Sequence, residues 1–208
     1  NAETLLYTQT THYGKILKRD KSLAEMALRI QAQAVKARLS GPAPQDPEPI
    51  YFASDYRQPE TRPEGLTTSP KYQKMDAKGQ KVPIPVSFTQ QVIFLPQGVA
   101  KDRVRDQVLR LSTMSEVYRS LHHIRPELFL WQYTTLQSGV HSSYPGKGAY
   151  PADYDPRKRL WYARAASQGE PIQQMMTDVS TGTLILTLAA PVLRRDGSLA
   201  GVTALDID

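Results

Sequence analysis

Cysteine is absent from all 208 residues, which excludes disulfides, thiolate nucleophiles and zinc sites built on sulfur. Long apolar runs are absent too. The longest stretch, TLILTLAAPVL at 183–193, is far short of the ~20 residues that a membrane-spanning helix needs. The net charge is +6, but no run of cations reaches five, and a diffuse basic surface is weak support for a nucleic-acid partner. The motifs of hydrolytic chemistry are also missing. Ser138 and Ser180 stand near glycine turns without the G-x-S-x-G context of an activated nucleophile. Only four histidines are present, and the adjacent pair His122–His123 points to two sides of a helix, which makes poor co-ligands. Both are expected at the surface or at a helix end. GKG (146–148) lacks the rest of a phosphate-binding loop and reads as a turn, and RRDG (194–197) reads as a hairpin turn. The segment is therefore expected to be no enzyme, with no metal and no cofactor. The NA start and ALDID end read as the edges of a piece excised from a longer chain, with flanking membrane segments beyond it.

With 40% hydrophobic and 22% charged residues, the composition is that of a folded globular chain. Residues 15–39 read as one long helix, with Ile16, Leu23, Met26, Ile30 and Ala34 as its apolar stripe and Gly41-Pro42 as its stop. Residues 42–96 hold ten of the sixteen prolines and read mostly as extended loop, tied down by Tyr51, Phe52, Tyr56 and Tyr72. VSFTQQVIFLP (86–96) reads as the first strand. A second helix covers 101–123, with Val104, Val108, Leu111, Met114, Tyr118 and Leu121 on its buried stripe. Strands follow at 128–136, 140–145, 172–179, 183–193 and 198–207, joined by turns too short for parallel crossovers. The expected class is α+β, an antiparallel sheet interrupted by one short helix. Three stretches make up one domain: the long helix (1–41), the proline-rich segment with the first strand (42–98) and the sheet core (99–208).

The interrupting helix carries the chain's densest chemistry, DYDPRKRLWYARA (153–165). Asp155 suits the N-cap and Pro156 the first helical position. A helix from Pro156 puts Arg157 and Trp161 on one face and Arg159 and Tyr162 on another. One reading is a core of aromatics beneath a solvated basic surface. The other is a guanidinium and a phenol arranged to hold a carboxylate.

Tyr154, Arg159, Trp161 and Tyr162 form the pattern Y-x4-R-x-W-Y. Downstream, Asp178, Thr181, Gly182, Thr187, Pro191, Val192, Asp196, Gly197, Gly201, Val202, Asp206 and Ile207 form the phrase D-x-x-T-G … T … P-V … D-G … G-V … D-I. Together these resemble the Cache family of extracytoplasmic sensor domains, most closely the membrane-distal module of a double Cache domain. The resemblance covers about residues 128–208 and accommodates the long helix, whereas 42–96 has no counterpart. It implies a long N-terminal helix packed on a PAS-like antiparallel sheet. It implies the periplasmic or extracytoplasmic portion of an inner-membrane signalling protein, with a chemotaxis, histidine kinase, phosphatase or cyclase output. The implied partner is a small amino acid or organic acid, with a homodimer through the N-terminal helix and no nucleic acid. In amino-acid-binding members the arginine side holds the carboxylate and the last-strand aspartate holds the amine. Carried onto this sequence, Arg159, Trp161 and Tyr154 contact the carboxylate, Tyr162 lines the pocket and Asp206 takes the amine, with Asp178 counted among the ligand-binding residues.

Strand alternation independently puts Val202, Ala204 and Asp206 on one face. Asp206 could equally pair with Arg159 without any ligand, or cap its strand. The sequence departs from the family before Asp178, where Met175, Met176 and Thr177 stand in place of an aromatic. A Cache-fold structural or dimerisation module without a small-molecule ligand is the alternative reading, and a basic nucleic-acid surface a more distant one.

Overall fold

The computed structural model describes the backbone of Ala2–Asp208, with side chains at Thr4, Thr11, Lys15 and from Leu17 onward. Helix α1 (Ala2–Ser40) begins earlier than the periodicity suggests, because adding residues to a formed helix costs far less than starting one. It ends where expected: Gly41 N–H bonds Ala37 O at 2.9 Å, and the Arg110 guanidinium reaches the carbonyls of Arg38 and Gly41. The buried face differs from the expected stripe. Ala24, Ala27, Leu28, Gln31 and Val35 are buried, whereas Met26 and Ile30 are 57% and 42% exposed. Ile16 lies outside the described side chains. Small alanines let the helix axis approach the sheet closely, and that gain outweighs the larger apolar side chains of the competing stripe.

The proline-rich stretch is largely irregular, with a small hairpin of β1 (Gln73–Met75) and β2 (Lys81–Pro83). Two of its tyrosines are buried anchors: Tyr56 donates to Gln91 O at 2.9 Å and Tyr72 to Leu130 O at 3.1 Å. Only β3 (Val92–Phe94) of the expected 86–96 strand joins the main sheet. The second helix is broken at Thr113 into α2 (Arg105–Ser112) and α3 (Met114–Ile124), after a 3₁₀ turn at Lys101–Val104. All six residues of its expected stripe are buried.

The main sheet adds β4 (Phe129–Leu136), β5 (His141–Tyr144), β6 (Ile172–Thr177), β7 (Leu184–Leu193) and β8 (Leu199–Ile207). Its six strands run in the order β3-β5-β4-β8-β7-β6, every neighbouring pair antiparallel. Helix α4 (Leu160–Gln168) crosses between β5 and β6. Because side chains alternate along each strand, the two faces hold different content. One face carries Leu188, Leu205 and Ile207 against α1, and Thr134 and Ser142 against the Tyr118 hydroxyl of α3 at 2.7 and 2.8 Å. Gln31 of α1 donates to Thr203 Oγ1 at 2.6 Å and to Ala204 O at 2.8 Å, a polar tie between that helix and β8. The opposite face carries Trp131, Tyr133, Val202 and Ala204 against Trp161 and Ala165 of α4. Gly201 is required where β8 meets β4, since a Cβ there would lie 2.4 Å from Thr135 O.

Candidate functional site

On the α4 side the sheet and its loops enclose a cavity of about 420 Å³ of empty space, part of it open to solvent. Of that space, the centre of a water-sized sphere can reach about 40 Å³. Its walls come from separate parts of the chain. Strand β4 contributes Trp131 and Tyr133, and β5 contributes His141 and Ser143. The loop after β5 brings Lys147, Tyr150 and Tyr154. Arg159 and Trp161 come from the start of α4, Met176 to Ser180 from the end of β6, and Thr187 and Asp206 from β7 and β8.

Five of the six residues singled out from sequence therefore line one cavity: Tyr154, Arg159, Trp161, Asp178 and Asp206. Tyr162 does not. It is buried in the core beneath α4 with its hydroxyl unpartnered, near the charges of Arg157 and Asp155. The reason lies in the local backbone. Pro156–Lys158 form a 3₁₀ turn capped by Asp155, whose side chain accepts from Arg157 N–H at 3.0 Å. Arg159 is then extended (φ −73°, ψ 146°), and α4 starts only at Leu160. The continuous-helix spacing that joined Arg159 to Tyr162 is lost. Arg157 pairs with Asp155 at 2.8 Å while its side chain stays 32% exposed.

The turn grammar downstream resolves into hydrogen bonds. Asp178 Oδ2 accepts from the Trp131 indole N–H at 3.0 Å, from Thr181 N–H at 2.8 Å and from the Thr181 hydroxyl at 2.6 Å. Gly182, at φ 75°, closes that loop. Asp206 is 3% exposed and its Oδ1 accepts from Thr187 at 2.7 Å and Tyr133 at 2.9 Å. Burial pushes its carboxyl up to about 8, with the Asp178 charge adding to the rise and the two hydroxyl donors and Arg159 partly opposing it. Among the described residues Asp206 and Arg159 form no ion pair; Arg159 Nη2 donates to Thr177 O at 3.4 Å.

Several cavity residues escaped the sequence reading. Lys147, assigned to a turn, is 3% exposed, with Nζ 4.0 Å from the Tyr150 ring centroid and 5.0 Å from that of Trp131. Burial brings its ammonium down to about 8. Tyr133 and Trp131 could have been found from the alternation of β4, which puts them beside Asp206 once β8 is known to be its neighbour. His141 could not. It is fully enclosed, bonded to Thr135 Oγ1 at 2.7 Å, and burial lowers it to about 3. His122, expected at the surface or at a helix end, stands in the last turn of α3 but is buried between Phe88 and Tyr144 and lowered to about 4, chiefly by desolvation, whereas its neighbour His123 is exposed. Residue 122 shares the buried side of α3 with Tyr118, one turn earlier, and that outweighs its polarity.

No family model matches the chain. Methyl-accepting chemotaxis proteins do share sequence with it. McpA of Pseudomonas putida is 36% identical and PscA of Pseudomonas syringae pv. tomato 40% identical, each over 80 residues. Those stretches are 38% of this chain and 12% of each relative's length. The fold itself is α+β, a long helix packed on a six-stranded antiparallel sheet. Among solved structures, the ligand-binding domain of the Pseudomonas aeruginosa amino acid chemoreceptor PctB in complex with L-Arg is 31% identical, covering 45% of this chain and 40% of that one, at a TM-score of 0.39. Of the phrase residues, Asp178, Thr187 and Asp206 line the cavity, Thr181 donates to Asp178 from the adjoining loop, and Gly201 sits at the β4–β8 contact.

Proposed function

We propose that this chain is the extracytoplasmic sensor domain of a membrane-anchored chemoreceptor or related signalling protein. Residues 1–41, 42–98 and 99–208 act as one sensor domain. Its ligand is a small amino acid or related carboxylate held in the cavity beneath α4. One observation carries the reading: a guanidinium, Arg159, and a buried carboxyl, Asp206, line the same cavity without being paired to each other. An α-amino acid carries the complementary charges a few bonds apart. Arg159 would take its carboxylate through charge-assisted bonds, with Tyr154 beside it and the Trp161 ring as a wall. Asp206 would take the ammonium, held in place by Tyr133 and Thr187. Met176 replaces a rigid aromatic wall with an adaptable one. The similarity to methyl-accepting chemotaxis proteins supports a signalling role, with a cytoplasmic output module. No helix among the described residues is long and apolar enough to cross a membrane.

Occupation of the cavity would be felt by α1, because β8 carries Asp206 on one face and is tied by Gln31 on the other. The test is a thermal-shift screen of free amino acids and organic acids against the 208-residue chain. Active compounds should raise the melting temperature, and Arg159→Ala should abolish the rise. An undiminished shift in that variant would remove Arg159 from the site.

A further inference from the structure

We propose that Lys147 is a second anion-binding point in this cavity, and that the preferred ligand carries two acid groups: an acidic amino acid or a small dicarboxylate. This rests on the ligand-binding reading above and narrows its ligand class. A lysine ammonium has three donors. Lys147 Nζ gives one to Ser180 Oγ at 2.6 Å and one to Ala149 O at 3.2 Å. Among the described residues it makes no ion pair, although the residue is 3% exposed and lines the cavity. A buried charge that lacks an opposite charge is costly. The nearby Asp178 acts on it through space, but the Oδ2 atom of that carboxylate already receives three bonds from Trp131 and Thr181. The rings of Trp131 and Tyr150 hold the ammonium in place without neutralising it.

A neutral amino acid has one carboxylate for Arg159 and one ammonium for Asp206, which leaves Lys147 as before. A second carboxylate on the ligand supplies the missing partner. The proline-rich segment strengthens the case from outside the cavity. It forms a second groove that shares Tyr150, Val179 and Ser180 with the first, and that groove is lined by Arg57, Arg62 and Lys74. Exposed cations at the approach to a concave site raise the local concentration of anions.

Calorimetry on the 208-residue chain tests this with L-aspartate against L-asparagine, L-glutamate against L-glutamine, and succinate as a dicarboxylate without an amine. The wild type should bind the acid of each pair about 10–100-fold more tightly than its amide, the value of one shielded charge-assisted bond. Lys147→Met should erase that preference while leaving affinity for the amide in place, and Lys147→Gln should do the same if the methionine variant does not unfold cooperatively. Arg159→Ala should weaken acid and amide alike. Succinate binding that is lost with Lys147 supports the dicarboxylate class. Equal binding of acid and amide by the wild type, or a preference that survives both Lys147 variants, overturns the inference and leaves the sensor reading standing. Binding of neutral amino acids alone does the same. If no amino acid or organic acid binds at all, both readings fall.

Discussion

Asp206 gives the fold a pH dependence whose direction can be worked from the structure. An aspartate in the unfolded chain ionises near 3.8, whereas burial among Tyr133, Thr187 and Asp178 keeps Asp206 protonated up to about 8. Between those values the native state holds one proton more than the unfolded state. Each unit of rising pH therefore costs the fold up to about 1.4 kcal/mol. His122 and His141 act in the opposite sense. They stay neutral in the fold down to about 4 and 3, while the unfolded chain protonates them below 6.5, so they withdraw stability as pH falls through that range. Lys147, lowered to about 8 from 10.5, adds stability only as pH rises above its folded value. Between pH 6.5 and 8 the share of Asp206 is isolated by comparing the wild type with Asp206→Asn, because the histidines and Lys147 titrate alike in both. Across that window stability should fall by about 1–2 kcal/mol more in the wild type than in Asp206→Asn, which keeps an acceptor for both hydroxyls. Urea unfolding followed by tryptophan fluorescence reports this directly, because both tryptophans, Trp131 and Trp161, lie in the cavity wall. Parallel profiles for the two proteins would show that Asp206 is already ionised at pH 6.5 and would overturn that assignment.

The same proton predicts a binding signature. An amino-acid ammonium arriving at Asp206 ionises it, so binding near pH 7 should release about one proton, seen as a buffer-dependent enthalpy and absent in Asp206→Asn. Gln31→Leu removes the amide that joins α1 to β8 and should lower stability by about 1–3 kcal/mol in denaturant titrations. Because Gln31 lies on the sheet face away from the cavity, its ligand affinity should stay within about twofold of wild type, and a large loss would show that α1 shapes the site itself.

Much of the architecture was legible because it rests on period. The α2–α3 stripe repeats at helical spacing and all of its members are buried, and the β4, β7 and β8 alternation separates the helix-facing side chains from the cavity-facing ones. Turn residues were equally readable, since Gly182 and Gly197 occupy positive φ that other residues avoid. The buried face of α1 was misread because two stripes compete there, and the choice between them depends on how closely the sheet allows the helix to approach. Met26 and Ile30 lost to Ala24 and Ala27.

The sequence alone therefore determined the order of elements and the strand faces, both of which depend on neighbours a few positions apart. The cavity depended on more. Lys147, Tyr150 and His141 reach it because strand order puts β5 beside β4 and carries the loop after β5 over Trp131. Tyr162 missed it because the chain extends for one residue at Arg159 before α4 begins. Whether a charged side chain is solvated, paired or enclosed follows from contacts between residues far apart in the chain. Only the tertiary structure could supply them, and with them the buried, unpaired ammonium of Lys147.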